Sequence, residues 1–265
     1  MNAKKRTEIL ERLAELCIAF KLPMMAQQLG PRFVEAGHDD VLPLLLELYE
    51  LEAGERRQRR VDRLRRASRL PIGKTYDTLD LSRFPKPLAG KVRELTTGEF
   101  LERADNVLCF GLPGVGKTHA AAAIGHAVVA QGHSVLFTPT FRLVQELLIA
   151  KRELKLNRVL RALDMFELLI LDDIGYVQQG RDEVDVLFTL MSERYERRSM
   201  LITSNVVFSE WNRIFTDPLT TAAAIDRVVH HSVILEFAEV TTFRGEAARK
   251  RAGKKNAEST ETEAT

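Results

Sequence analysis

Apolar positions recur at three- and four-residue spacing through the first part of the chain, at Ile9, Leu10, Leu13, Leu16 and Cys17 and again at Val41, Leu42, Leu45, Leu46 and Tyr49. That period predicts amphipathic helices, with breaks at Gly30-Pro31 and around Gly37-His38-Asp39-Asp40. The pattern runs on into residues 56–69, eight of the fourteen being arginine. Pro, Gly, Asp, Ser and aromatic residues then mark residues 71–87 as a linker lying against a second domain. After residue 100 the rhythm changes. Short apolar runs at 107–110, 134–137, 168–171, 200–203 and 232–237 alternate with helical stretches starting at Lys117, Thr140, Asp182 and Ser209. Alternating β and α elements predict an α/β fold, a parallel sheet sandwiched by helices. The expected division is a helical N-terminal domain over 1–70, a linker over 71–99, the α/β core over 100–245 and a disordered polar tail over 246–265.

A chain of 265 residues, 45% of them hydrophobic, can bury a full core with a smaller domain beside it. Its formal net charge of +2 is too small for the overall field to attract polyanions, so local clustering must do so. Arg56, Arg59, Arg60, Arg63 and Arg66 fall along one helical face, with Asp62 the single acid inside the run. Two readings stand: a sequence-independent grip on DNA phosphates, or a solvated helix face. Scarce aromatics argue against a single-strand stacking platform and favour duplex backbone contact. Cys17 and Cys109 lie far apart among apolar residues and outside any ligand spacing, as expected of buried, reduced thiols. No signal-peptide core follows the N-terminus and no run of 18 apolar residues occurs, so a soluble, cytoplasmic, nucleoid-associated protein without membrane contact is expected.

The chemistry concentrates in Gly111-Leu112-Pro113-Gly114-Val115-Gly116-Lys117-Thr118, the G-x-x-x-x-G-K-[ST] pattern set between an apolar strand and a helix. Backbone N–H groups of such a loop wrap phosphate oxygens, and the following helix points its positive dipole end at the same anion. Lys117 is expected at the β- and γ-phosphates of ATP, and Thr118 on Mg²⁺. A second segment, Leu168-Leu169-Ile170-Leu171-Asp172-Asp173, ends an apolar strand in two carboxylates. Asp172 is expected to hold Mg²⁺ through a water, and Asp173 to orient or deprotonate the attacking water. Asp173 stands where many related ATPases carry Glu, one methylene longer, which predicts slow basal turnover. Asn205, after Thr203-Ser204, is either a sensor of the γ-phosphate and attacking water or a helix cap.

These motifs resemble those of the IstB-type transposition helpers, relatives of the DnaC helicase loaders among AAA+ ATPases. The resemblance spans residues 76–244. It rests on residues 106–110 with the Gly-rich loop and His119, on Leu171-Asp172-Asp173-Ile174-Gly175-Tyr176, on Thr203-Ser204-Asn205 with Trp211, and on Ala224-Ile225-Asp226-Arg227-Val228-Val229-His230-His231-Ser232. It implies an AAA+ core whose site is completed by a neighbouring subunit. Arg227 would be the arginine finger, His119 part of the nucleotide site, and Arg244 a second sensor. With only a short stretch after Phe237, the resemblance implies a core without a separate C-terminal lid, as expected for the IstB and DnaC group. The resemblance further implies a transposition regulator that oligomerises on duplex DNA and activates a cognate transposase. A helicase loader holding single-stranded DNA, or an adaptor that binds ATP with little turnover, are the alternatives.

Overall fold

The structure, a computed structural model, describes residues 2–176, 180–206, 226–237 and 240. It divides into two compact units, 1–63 and 64–265, each with its own core.

The first unit holds α1 (Ala3–Ala19), α2 (Pro23–Glu35) and most of α3 (Leu42–Ala67) around buried Ile9, Leu13, Cys17, Leu29 and Leu42. The expected break at Gly30-Pro31 is not there: α2 runs through both residues. The break falls instead at Phe20–Leu22, where Lys21 takes a left-handed backbone (φ 62°) and Pro23 opens α2. Proline's fixed φ suits a first helical turn, and that signal outweighed the dipeptide. Gly30 has a packing role, since a Cβ there would sit 3.1 Å from Leu10 Cδ2 on α1. The turn at Gly37 (φ 74°) follows α2 as expected.

The second unit is an α/β sandwich. Its five parallel strands are β1 (Asn106–Phe110), β2 (Val135–Pro139), β3 (Leu168–Asp172), β4 (Ser199–Ser204) and β5 (Ser232–Glu236), in the order β2-β3-β4-β1-β5. Alternate strand residues feed two cores. Val107, Cys109 and Ile170 face α4 (Lys86–Leu95) and α6 (Lys117–Ala130), while Leu108, Leu169 and Ile202 face α7 (Thr140–Arg152), α8 (Leu156–Asp164) and α9 (Arg181–Arg194). Burial on both faces explains why the strands read as unbroken apolar runs. Four consecutive fully buried alanines, Ala120 to Ala123, let α6 lie close on the sheet.

Two elements depart from the sequence reading. Residues 71–99 carry α4, lead into the short α5 (Glu99–Glu102) and bury Leu79, Phe84, Leu88, Val92 and Leu95 in the core of the second unit, so this stretch is a packed part of that unit. The spacing of those residues covers one side of α6 and the sheet, which the Pro and Gly content concealed. Helix α8 was not anticipated because no Gly or Pro separates it from α7; the chain turns at Leu154 (φ 57°) instead. The helix expected from Ser209 and the tail over 246–265 lie outside the described residues.

Candidate functional site

The Gly-rich loop leaves β1 at its C-terminal end and delivers the chain into α6, the strand–loop–helix context that phosphate binding requires. Gly111 is obligatory, because a Cβ there would lie 2.7 Å from Phe237 Cβ, and Phe237 donates its N–H to the Phe110 carbonyl at the end of the sheet. Lys117 is only 8% exposed, and its Nζ donates to the carbonyls of Gly111 (2.6 Å) and Leu112 (2.9 Å). The loop therefore already holds its cation over its own opening. Directly beneath, burial pushes the Cys109 thiol up to about 12, against the pull of Lys117, so it stays a neutral filler.

Strand order sets the rest. β4 lies between β1 and β3, and Gly111 N–H donates to the Ser204 carbonyl across that seam. One carboxylate collects the surrounding hydroxyls: Asp172 Oδ1 accepts from Thr118 Oγ1 (2.9 Å) and from Thr203 Oγ1 (2.7 Å). Thr203 Oγ1 in turn accepts from the Asp173 N–H (2.8 Å), and Thr140 Oγ1 donates to the Asp172 carbonyl (3.0 Å). Asp173 is bent out of the strand with φ 64°, a left-handed conformation that costs a non-glycine residue about 1–2 kcal/mol. The Thr203 hydrogen bond holds that turn. Thr203 and Thr140 thus belong to the site although they carry no motif signal. Their part depends on which strands are neighbours.

Asn205 follows β4 at the same end of the sheet as the loop and Asp173. Its Oδ1 is buried without a hydrogen-bond partner and packs against Gly175, at a cost of about 1–3 kcal/mol for an unmatched amide oxygen. Thr118 and Asp172 form a pair of hard oxygen donors of the kind that suits Mg²⁺. His119 faces elsewhere: its Nε2 meets the Thr75 carbonyl (3.2 Å) and Thr78 Oγ1 (3.0 Å), and burial lowers its pKa. It pins residues 75–78 onto α6.

Arg227 lies in a helical turn over residues 226–229, ahead of β5. Its Nη1 donates to Ser192 Oγ (2.7 Å), and its guanidinium covers the Phe188 ring at 4.8 Å, both on α9. Because β5 is parallel to β1, with Ser232 opposite Asn106, this turn stands at the N-terminal end of the strands, whereas the Gly-rich loop leaves β1 at the C-terminal end. Arg244 and Trp211 lie outside the described residues.

In the arginine run, Arg56 pairs with Glu52 (2.6 Å) and stacks over Phe20, and Arg59 pairs with Glu55 (3.5 Å). Carboxylates one turn upstream therefore compensate part of a run that holds a single acid within itself. Arg60 is also engaged, while Arg63 and Arg66 point outward as exposed side chains.

Comparison with known proteins finds relatives over most of the chain. The family model described as IstB-like ATP binding protein matches residues 17–256. An insertion sequence ATP-binding protein of Sinorhizobium fredii is 43% identical over 89% of this chain and 80% of its own length. The insertion sequence IS5376 ATP-binding protein of Geobacillus stearothermophilus is 35% identical over 91% and 94%, and that of IS21 from Pseudomonas aeruginosa 37% over 86% and 84%. Among solved structures, DnaI (TM-score 0.54, 19% identity, 66% of this chain and 96% of that one) shares the fold. So does AMPPCP-bound DnaA from Aquifex aeolicus (TM-score 0.55, 17% identity, 71% and 57%).

Proposed function

The chain belongs to the IstB-like ATP-binding protein family, and from that premise we propose that it is a Mg²⁺-dependent ATPase assembling on duplex target DNA to recruit and activate a cognate transposase. The observation that carries this reading is the division of the candidate residues between the two ends of the strands. At the C-terminal end stand the Gly-rich loop, Asp172, Asp173 and Asn205; before the N-terminal end of β5 stands Arg227, in contact with α9 and not with its own loop. A guanidinium so placed serves the site of a neighbouring subunit, which makes hydrolysis a property of the assembly.

Within one subunit, residues 111–118 bind the phosphates, and Lys117 exchanges two carbonyl partners for phosphate oxygens. Thr118 and Asp172 hold Mg²⁺, which neutralises phosphate charge when bound. Asp173, set by Thr203, accepts the proton of the attacking water, and Asn205 orients that water against the γ-phosphate. The shorter reach of Asp173 keeps basal turnover slow, so hydrolysis times disassembly. The insertion-sequence relatives point to the transposase as partner.

Steady-state ATPase assays with no DNA, duplex or single strands test this. Expected is stimulation by duplex, absent in both Lys117→Ala and Arg227→Ala, with part of the activity restored when the two variants are mixed. A mixture as inactive as its parts would remove the shared site. Stimulation by single strands alone would replace the transposition reading with helicase loading.

A further inference from the structure

The second unit carries a concavity of about 690 Å³ against the second half of α6 and the stretch from Ile72 to Asp77. Arg65, Arg66 and Arg69 line it, with Ile72, Tyr76 and His126, and Asp77 is its one carboxylate. Arg66 and Arg69 are exposed, and among the described residues neither has a carboxylate within ion-pair distance. Arg69 also occupies the left-handed position after α3 (φ 55°), where glycine or asparagine is the usual occupant.

At the lip stands Ile72, fully exposed at 101%, a position no folding force explains. The backbone beneath it is anchored on three sides. Ser68 is fully buried and its carbonyl accepts from the Phe137 N–H of the edge strand β2 at 2.7 Å. Leu70 packs into α6 at Gly125, where a Cβ would lie 2.7 Å from Leu70 Cδ2. The Pro71 carbonyl meets His126 Nε2 at 3.1 Å. The turn closes at Gly73 (φ 82°) and continues to Lys74.

An exposed apolar side chain that shares a concavity with three arginines has the chemistry of a minor-groove wedge, in which cations seat on the phosphates and an aliphatic side chain enters between base steps. We propose that this surface rests against duplex DNA, with backbone phosphates entering the concavity at Arg66 and Arg69 and Ile72 inserted between base pairs. The inference rests on the duplex-binding reading above; it takes Arg66 from the arginine face of α3 and adds to it Arg69 and an apolar contact of a different kind, both beyond that helix.

The test uses the full chain with ATP and Mg²⁺, a duplex carrying 2-aminopurine at successive positions, and anisotropy to measure affinity from 50 to 200 mM salt. Arg66→Ala and Arg69→Asn, the latter compatible with a left-handed backbone, should each lower the salt slope by about one, removing about a fourfold share of the affinity lost over that range. Ile72→Ala should leave the slope unchanged yet abolish 2-aminopurine brightening, and Ile72→Phe should retain it. Urea unfolding of each variant separates these effects from misfolding. Unchanged brightening in Ile72→Ala, or wild-type binding without any brightening, would overturn the wedge; unchanged slopes in both arginine variants would overturn the seat. Failure of the wild type to bind duplex at all would overturn the duplex reading itself, and the inference with it.

Discussion

Thr203 shows how much one hydroxyl can organise. It bonds the carboxylate of Asp172 and the N–H of Asp173, the two acids on which hydrolysis is proposed to depend. Thr203→Val keeps the shape and removes both bonds, so kcat should fall by about 10²-fold while the KM for ATP changes little, as steady-state kinetics would show. Glu167 gives a second residue-scale prediction. Burial opposes its charge, but hydrogen bonds from His133, from the Ser134 backbone and from the Ser134 hydroxyl outweigh burial and lower its pKa below 4.5. A carboxylate with a lowered folded pKa stabilises above its unfolded value, and that stability is lost as pH falls through the folded one. Urea midpoints of the wild type should therefore drop below about pH 4.5 more steeply than those of Glu167→Gln. The Gly-rich loop and Asp172 were legible in the sequence because loop and strand end are local signatures. Thr203 was not, since its role needs β4 to lie beside β3.

At the scale of elements, Arg194 decides how α8, α9 and the entries to β3 and β4 meet. Only 1% exposed, it donates to the carbonyls of Leu163, Phe166, Glu167 and Ser199, and burial lowers its pKa to about 10. Arg194→Ala strips several buried carbonyls of a charged donor and should cost about 3 kcal/mol or more, read from urea denaturation at neutral pH. Element type was well predicted where apolar runs were long: all five strands and the helices from Lys117 and Thr140 stand where periodicity put them. Element ends and breaks were less so. Gly30-Pro31 reads as a stop in isolation, yet α1 needs a glycine to approach α2 closely. Residues 71–99 read as linker by composition, but their apolar side chains had a helix and a sheet to cover.

For the molecule as a whole, the two cores of the second unit share one sheet and the first unit has a core of its own, so the second unit should open as one cooperative block. Cys109 reports on it: fully buried and with its thiol pushed up to about 12, it should resist iodoacetamide until urea unfolds that core, when labelling rises in step with loss of structure. Labelling at native rates in water would show local opening under the Gly-rich loop. The sequence by itself determined the alternation of strand and helix, the phosphate loop, the paired acids and the arginine run, because each is written in consecutive or helically spaced residues. Only the tertiary structure decided that Thr203 joins the acids, that Arg227 stands at the other end of the strands from the Gly-rich loop, and that exposed Ile72 shares a concavity with three arginines. Those relations follow from strand order and from packing between segments far apart in the chain, which no local spacing encodes.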